Sequence, residues 1–270
     1  MKRVRQLPKL PQRAADGHKG DYGTVLVVAG SETMLGAAIL CATSALRAGA
    51  GLVQVALPKA LLPLLPLAVP CATTVARAGA PFTTALRGAD AVVVGPGLGQ
   101  GAATKTLLRA VLAGGQAPAV LDADALNVLA PLRRAPATRR RLVLTPHPGE
   151  AARLLGTTAA AVQRDRPAAL AALCERSGAV VVLKGAGTLV GDGLRSFHNR
   201  SGNPGMATGG SGDVLAGLIG ALLAQGLSPF DAACLGAAVH GRAGDRVAAR
   251  LSQRGMIASD LPAAIAEELR

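Results

Sequence analysis

The chain has very few aromatic side chains. Its 270 residues contain no tryptophan, one tyrosine and three phenylalanines, although half of the residues are apolar. The core must therefore be aliphatic, and a bound aromatic ring cannot stack on tryptophan. A chain of this length and apolar content can bury a substantial core in one large domain or two small ones.

Acidic residues are also scarce, with 16 Asp and Glu against 29 Lys and Arg, which gives a formal charge of +13. The densest basic run, Arg133, Arg134 and 139–141, has no aromatic residues between its arginines on which bases could stack. We therefore predict a solvated loop and no nucleic-acid partner. The positive field would still steer a substrate that carries several phosphates.

Cysteine pairs and long apolar runs are missing. Cys41, Cys71, Cys174 and Cys234 have no CxxC spacing and lie in apolar segments, which predicts buried free thiols of a reducing compartment. The longest uncharged run, 214–230, contains three glycines and is short for a membrane span, so we predict a core helix and no membrane partner.

The N-terminal residues carry no targeting signal. Lysine and arginine occur in the first five residues, but no apolar segment follows them. Pro8 and Pro11 predict an extended arm over residues 1–15, ahead of one domain over 16–270. Together with the cysteine usage, this predicts a cytoplasmic protein.

Strand-like and helix-like segments alternate along the chain. The strand-like segments, most of them continuous apolar runs, are 24–29, 52–57, 91–94, 119–121, 142–144 and 180–183. The helix candidates are 35–48, 102–113, 149–155, 167–177, 214–225, 229–250 and 259–269. Apolar runs without alternation are typical of parallel strands buried on both faces, so we predict an α/β fold with a largely parallel sheet and helices on both sides. Ligands of such sheets bind beyond the carboxyl ends of the strands.

The most informative segment is 203–213, NPGMATGGSGD, which leads into an apolar helix candidate. Four glycines remove the side chains that would keep a ligand from the backbone, and the N–H groups that open a helix bind anions. Asp213 closes this loop, where repulsion by a phosphate favours a role as general base. The alternative is a glycine-rich turn with an aspartate cap.

Four further motifs follow predicted strands. The run 95–99, GPGLG, departs from the dinucleotide fingerprint GxGxxG and is either a ligand wall or a plain turn. In 145–150, TPHPGE, two prolines hold His147 rigidly, either for a ligand or as a structural hydrogen-bonding group. The run 184–188, KGAGT, fits a tight hairpin. Asp122 and Asp124 alternate at a strand end, so only one of them, Asp122 by preference, should point into the cleft.

Glu150 lies in the first turn of a predicted helix. It either favours the helix dipole or holds a magnesium-bound water. The sequence does not decide between these two roles.

These blocks, in this order, resemble those of the ADP/ATP-dependent NAD(P)H-hydrate dehydratases of the ribokinase-like superfamily, over residues 16–265. The resemblance implies a ribokinase-like fold and an enzyme that dehydrates the S-epimer of hydrated NADH or NADPH (NADHX, NADPHX). The co-substrate would be ADP, with AMP and phosphate released, or ATP. Asp213 would activate the acceptor hydroxyl. Magnesium would accompany the nucleotide, with Glu150 and Asp122 as candidate ligands.

The resemblance also implies two groups of binding residues and a homo-oligomer, a tetramer. Hydrate-binding residues would be Gly36, Ala37, Gly99, His147 and Asp213. Nucleotide-binding residues would be Lys184, Gly185, Ala186, Gly187, Thr188, Gly209, Gly210, Ser211 and Gly212. Many members carry an N-terminal epimerase, and with about fifteen residues before the His18 block we expect that activity to lie elsewhere or to be absent.

Two alternatives stay open. A ribokinase-like thiazole or pyrimidine kinase would share the anion site and form a stable phosphoester. Related thiazole kinases have Asn where this chain has His147, which favours the dehydratase. A nucleotide-sensing module would bind ADP without turnover, and the intact Asp213 argues against it.

Overall fold

A computed structural model describes residues 1–10, 12–138 and 140–270. In these residues ten strands form one sheet. The strands are β1 (Lys2–Val4), β2 (Thr24–Val28), β3 (Leu52–Leu57), β4 (Thr73–Ala76), β5 (Ala91–Val94), β6 (Ala119–Leu121), β7 (Leu142–Leu144), β8 (Val180–Leu183), β9 (Leu189–Gly191) and β10 (Arg195–His198).

Eleven α-helices surround the sheet in the same described residues. They are α1 (Leu35–Arg47), α2 (Leu65–Ala68), α3 (Gly79–Gly88), α4 (Ala102–Ala113), α5 (Asp124–Leu129), α6 (Pro148–Leu155), α7 (Ala159–Arg164), α8 (Arg166–Ser177), α9 (Ser211–Ala224), α10 (Pro229–Leu251) and α11 (Leu261–Glu268). None of the helices described is both long and apolar enough to cross a membrane.

The strand order is β1-β10-β9-β8-β7-β6-β5-β2-β3-β4. The strands from β8 to β4 in this order pair in parallel, and β9 is antiparallel to both of its neighbours. The carboxyl ends of the parallel strands therefore open at one edge of the sheet. Ligands of open α/β sheets bind at this edge.

Both faces of the central strands are covered. On β2, Val25 and Val27 pack into one apolar cluster and Leu26 and Val28 into the other, and all four are buried. Helices α1, α9 and α10 cover the first face, and α3, α4 and α6 belong to the second. Because neither face meets water, the strands need no polar positions.

Helices α1 and α9 approach each other very closely. A Cβ atom on Gly217 of α9 would overlap the carbonyl group of Cys41 on α1. The small residue therefore allows the backbone of α9 to lie against α1. This contact fixes the start of α9 relative to the sheet.

The predicted fold class is confirmed, and five of the six predicted strands have the predicted bounds, while β2 ends one residue early at Val28. The helix α9 begins at Ser211, three residues before the predicted start, so it includes the end of the glycine loop. Strand β4 was missed because its sequence, TTVA, is half polar and only partly buried. Residues 2–4 of the predicted arm form β1, which pairs with β10, and Pro11 lies outside the described residues.

Two predictions about individual side chains were wrong. Cys71 is exposed, because it lies in the turn between α2 and β4 and not in a packed element. Arg140 is buried, because its guanidinium donates hydrogen bonds to the carbonyl oxygens of Val111, at 2.8 Å, and Ala117, at 2.6 Å. This arginine is part of the packing of the α4 region, and its neighbour Arg139 lies outside the described residues.

Candidate active site

The glycine loop ends where α9 begins. Gly210 precedes the helix with φ +93°, and a Cβ atom there would overlap the side chain of Leu40, so glycine is required. The N–H groups of Gly212 and Asp213 belong to the first turn of α9, where N–H groups lack helical partners. A Cβ atom on Gly209 would have no neighbour within 4 Å. The loop therefore presents backbone donors to open space, as an anion site requires.

Lys184 brings a positive charge to this loop. It follows β8, and a Cβ atom on Gly212 would lie 3.1 Å from its Nζ. The ammonium lies 2.7 Å from Asp122 Oδ1 and 3.8 Å from Glu150 Oε2. Burial alone would lower the pKa of Lys184, but the Asp122 and Glu150 carboxylates raise it above its ordinary value. Lys184 is thus a fixed cation beside the start of α9.

Asp122 and Asp124 both lie close to Asp213. The predicted alternation along a strand is wrong, because Ala123 has φ +47° and Asp124 begins helix α5. Asp122 is 1% exposed and accepts a hydrogen bond from the hydroxyl of Thr145 at 2.7 Å. Asp124 accepts a hydrogen bond from the Gly99 N–H at 2.7 Å. Asp122 therefore accepts a hydrogen bond from the Lys184 ammonium, and Asp124 accepts one from the backbone of the glycine run 95–99.

Asp213 lies in the first turn of α9 and is half-buried. Burial, followed by the negative charge of Asp122, raises its pKa to about 7, with Lys184 acting in the opposite direction. Asp124 and Glu150 also raise the pKa. A carboxylate with this pKa is half ionised near neutral pH and holds a proton far better than an ordinary aspartate, which suits a general base.

His147 caps helix α6. Its Nδ1 accepts hydrogen bonds from the N–H groups of Gly149, at 3.0 Å, and Glu150, at 3.4 Å, while Glu150 Oε2 accepts one from the His147 N–H at 2.8 Å. Burial and the nearby charge of Lys184 lower the pKa of His147. In the neutral ring Nε2 then carries the proton, because Nδ1 is an acceptor. The side chain is half exposed, so this N–H can still meet a ligand.

The predicted hydrate-binding residues Gly36, Ala37 and Gly99 form one wall. A Cβ atom on Gly97 would lie 2.9 Å from Ala37 Cβ, so the start of α1 packs directly against the glycine run. Gly36 and Gly99 face open space at the position where a Cβ would be. Asp124 accepts a hydrogen bond from Gly99 of this wall, and its negative charge raises the pKa of Asp213.

The run 184–188 forms the turn between β8 and β9, as predicted. The Thr188 hydroxyl donates a hydrogen bond to the Gly185 carbonyl oxygen at 2.9 Å, and this bond stabilises the turn. Arg166 donates to the carbonyl oxygens of Leu183, at 2.9 Å, and Lys184, at 3.3 Å. These bonds fix the chain on either side of the Lys184 side chain.

Sequence reasoning did not single out three residues that support the site: Thr145, Arg166 and His240. Thr145 follows a strand at the ligand edge, which is a usable signal. Arg166 carries no signal, since arginine is common throughout the chain. His240 is a lone imidazole in the buried part of helix α10, and its contact with Ser211 depends on how α10 packs against α9.

The carboxylates do not form a metal cage of their own. Among the described residues no group of three or more His, Cys, Asp or Glu side chains is placed to hold a metal ion. Asp122 is already bonded to Lys184 and Thr145. The donor set fits a magnesium ion held mainly by nucleotide phosphates and water, the usual arrangement for Mg2+ with nucleotides.

The mostly parallel sheet, the glycine loop opening α9 and the aspartate in its first turn define a ribokinase-like protein. Within that class the chain belongs to the NAD(P)H-hydrate dehydratase family, whose model matches residues 25–267. The ADP-dependent (S)-NAD(P)H-hydrate dehydratase of Neisseria meningitidis is 47% identical over 238 residues, covering 86% of this chain and 80% of that protein.

A relative of twice the length and a solved structure agree with this assignment. The bifunctional NAD(P)H-hydrate repair enzyme of Moorella thermoacetica is 48% identical over 267 residues, covering 94% of this chain and 50% of that protein. The chain spans about half the length of several such relatives. The ADP/ATP-dependent NAD(P)H-hydrate dehydratase of Bacillus subtilis, co-crystallized with ATP and Mg2+, has a TM-score of 0.87 at 31% identity, covering 96% of this chain and 93% of that one.

Proposed function

We propose that this chain dehydrates the S-epimer of hydrated NADH and NADPH at the expense of ADP, releasing AMP and phosphate. The observation that carries the proposal is the arrangement at the start of α9. There Asp213, with a pKa of about 7, lies in the helix turn whose Gly212 faces the Lys184 ammonium. The Neisseria meningitidis relative is an ADP-dependent (S)-NAD(P)H-hydrate dehydratase, which supports both ADP and the S-epimer.

The chemistry has two steps. The ring hydroxyl of the hydrate attacks the terminal phosphoryl group of the nucleotide, so that a new O–P bond forms and AMP leaves. Asp213 accepts the hydroxyl proton in this step. The C–O bond then breaks with loss of phosphate, and the adjacent ring carbon gives up a proton to water to restore the double bond. Backbone N–H groups at Gly212 and Asp213, together with the Lys184 ammonium, stabilise charge on the transferring group.

The nucleotide and the hydrate approach Asp213 from different sides. The nucleotide lies along 184–188 and 209–212, where Lys184 meets the glycine loop. The hydrate lies against Gly36, Ala37 and Gly99, with the Nε2–H of the half-exposed His147 side chain as a donor. Asp122 serves by holding Lys184 and by raising the pKa of Asp213.

Magnesium would bind with the nucleotide and neutralise part of its phosphate charge. Glu150 is the residue we propose to hold it, through a coordinated water, while Asp122 stays with Lys184. We also propose a cytoplasmic location and a homo-oligomer, a tetramer, as the family resemblance implies.

The decisive experiment is an assay of the purified protein with hydrated NADH and either ADP or ATP. We expect the absorbance of reduced nicotinamide to return, with stoichiometric AMP and phosphate when ADP is used. Asp213→Asn is the matched control, since it keeps the shape of the side chain and removes the base. It should lower turnover at least ~10²-fold while ADP affinity stays within a few-fold.

Two outcomes would overturn the proposal. One is a stable phosphoester on a thiazole or pyrimidine alcohol without recovery of the nicotinamide absorbance, which would identify a kinase. The other is ADP binding without turnover of any hydroxyl acceptor, which would identify a sensor. Family membership favours the dehydratase over both.

A further inference from the structure

A buried imidazole contacts the first residue of the anion-binding helix. His240 lies on α10 and is 9% exposed. Its Nε2 is 3.0 Å from the carbonyl oxygen of Ser211 and 3.4 Å from the Ser211 hydroxyl oxygen. Ser211 begins α9, so the contact joins the first residue of α9 to the middle of the next helix, α10, at the point where the glycine loop ends.

The contact determines the proton position on the ring. A carbonyl oxygen can only accept, so the 3.0 Å contact requires a proton on Nε2. Burial lowers the pKa of His240 to about 4, with the Ser211 hydrogen bond acting in the opposite direction. At neutral pH the ring is therefore neutral and carries its single proton on Nε2.

The same proton position directs the Ser211 hydroxyl. Because Nε2 is a donor, it cannot accept the hydroxyl proton of Ser211. The imidazole N–H instead faces both oxygen atoms of the serine, so the hydroxyl hydrogen is left for an acceptor other than this nitrogen. Ser211 is the second residue after Gly209, where no neighbour occupies the Cβ position.

We propose that His240 is a positioning residue for nucleotide binding: it anchors Ser211 and reserves the serine hydroxyl proton for a phosphate oxygen. His240 itself touches neither ligand. This inference rests on the proposed function only in assuming that the start of α9 receives nucleotide phosphates. It does not depend on which hydroxyl compound accepts the phosphoryl group.

The test compares three variants by calorimetric titration with ADP and by thermal unfolding. His240→Leu removes the donor but keeps an apolar side chain of similar size, and it should weaken ADP binding about three- to tenfold, the effect of one lost hydrogen bond. His240→Gln supplies a side-chain N–H of similar reach and should restore affinity to within about twofold. Val239→Ala, the buried neighbour on α10, should lower Tm and leave ADP affinity unchanged.

A double-mutant cycle with Ser211→Ala tests the assigned route. Ser211→Ala alone should weaken ADP binding to a similar extent, and His240→Leu should cost less in that background than in the wild type, since only the contact with the Ser211 carbonyl oxygen is left to lose. Additive losses, a Gln variant as weak as Leu, or wild-type affinity in His240→Leu would each overturn the inference. If the wild type binds ADP but does not dehydrate the hydrate, the proposed function fails, and the affinity ratios still decide the role of His240. Failure of the wild type to bind ADP would overturn both.

Discussion

Lys184 and Asp122 form a partly buried ion pair in the candidate active site, with Nζ 2.7 Å from Oδ1. Asp122 is 1% exposed, and its oxygen also accepts a hydrogen bond from Thr145. Breaking such a pair leaves a charge without its partner, so the pair is costly to disturb. Its two members act in opposite directions on Asp213, since Asp122 raises the pKa of that carboxyl and Lys184 lowers it.

Asp122→Asn should move the acid limb of the pH profile of kcat/KM to lower pH. The wild-type limb reports ionisation of Asp213, with a pKa of about 7, and activity rises as the carboxyl loses its proton. Removing the negative charge of Asp122 and freeing Lys184 from its partner both favour ionised Asp213. Initial rates from pH 5 to 9 measure the shift.

Thr145→Val is the matched control for this change. It removes the hydrogen bond to Asp122 without changing any charge, so the limb should stay near its wild-type position. A limb that moves upward in Asp122→Asn, or that moves equally in both variants, would contradict the assigned electrostatics.

Asp213→Asn should stabilise the protein at alkaline pH and have little effect at acid pH. The folded pKa of Asp213 is raised to about 7, above its value in the unfolded chain. Below pH ~4 the carboxyl is protonated in both the folded and the unfolded chain, so it does not change the free energy of unfolding. As the pH rises towards 7, the unfolded chain ionises first and the free energy of unfolding falls. We expect a gain of at least ~1 kcal/mol at pH 8, which is roughly 2–4 °C in Tm for a domain of this size. Equal changes in Tm at pH 5 and pH 8 would contradict the raised pKa.

Much of the fold could be predicted because the central strands are short apolar runs between helix-length segments. Their pattern depends only on burial of both faces, which is a local property of the sequence. Strand β4 and helix α5 could not be predicted in this way. The first is half polar, and the second begins at Asp124 because of one unusual backbone angle at Ala123.

Part of the candidate site could be predicted from the sequence. The motifs marked Lys184, Gly212 and Asp213 individually, because each follows a strand or opens a helix. The ion pair of Lys184 with Asp122 joins residues 62 positions apart, so it depends on strand order, which the sequence does not show. The cap formed by His147 depends on a side-chain rotamer, and the tight packing of Gly212 against Lys184 depends on the same strand order.

Gly212→Ala should weaken nucleotide binding more than folding, and Gly212→Val should do so more strongly. The added Cβ would lie 3.1 Å from Lys184 Nζ and 3.8 Å from Asp122 Oδ2, so the ammonium must move from the start of α9. Thermal unfolding should change less than ADP affinity, because Nζ ends a flexible side chain and can shift slightly while it keeps its ion pair with Asp122. ADP titration should show at least a fivefold loss for the valine variant, about 1 kcal/mol.

Gly88→Ala on α3 is a control for the general effect of adding a methyl group, since its Cβ would have no neighbour within 4 Å. It should leave ADP binding unchanged. Normal ADP affinity and turnover in a folded Gly212→Val protein would show that this loop does not hold phosphate.

His147 combines a structural contact with a proposed ligand contact, and two substitutions separate them. His147→Ala removes both the cap of α6 and the exposed Nε2–H, so it should lower stability by ~1 kcal/mol and weaken hydrate binding. His147→Asn replaces one good cap with another, since asparagine is among the favoured capping residues, but its shorter side chain cannot place a donor where Nε2 lies.

We therefore expect His147→Asn to keep the wild-type Tm and ADP affinity while binding a reduced dinucleotide more weakly. The loss of one hydrogen bond corresponds to ~0.5 to 1.5 kcal/mol, or up to ~3 for a charged partner, so the affinity should fall roughly threefold to a hundredfold. Calorimetric titrations with ADP and with NADPH, which is not itself dehydrated, measure the two affinities separately. Equal losses for both ligands, or a loss confined to ADP, would place His147 on the nucleotide side and remove the donor we assign to the hydrate.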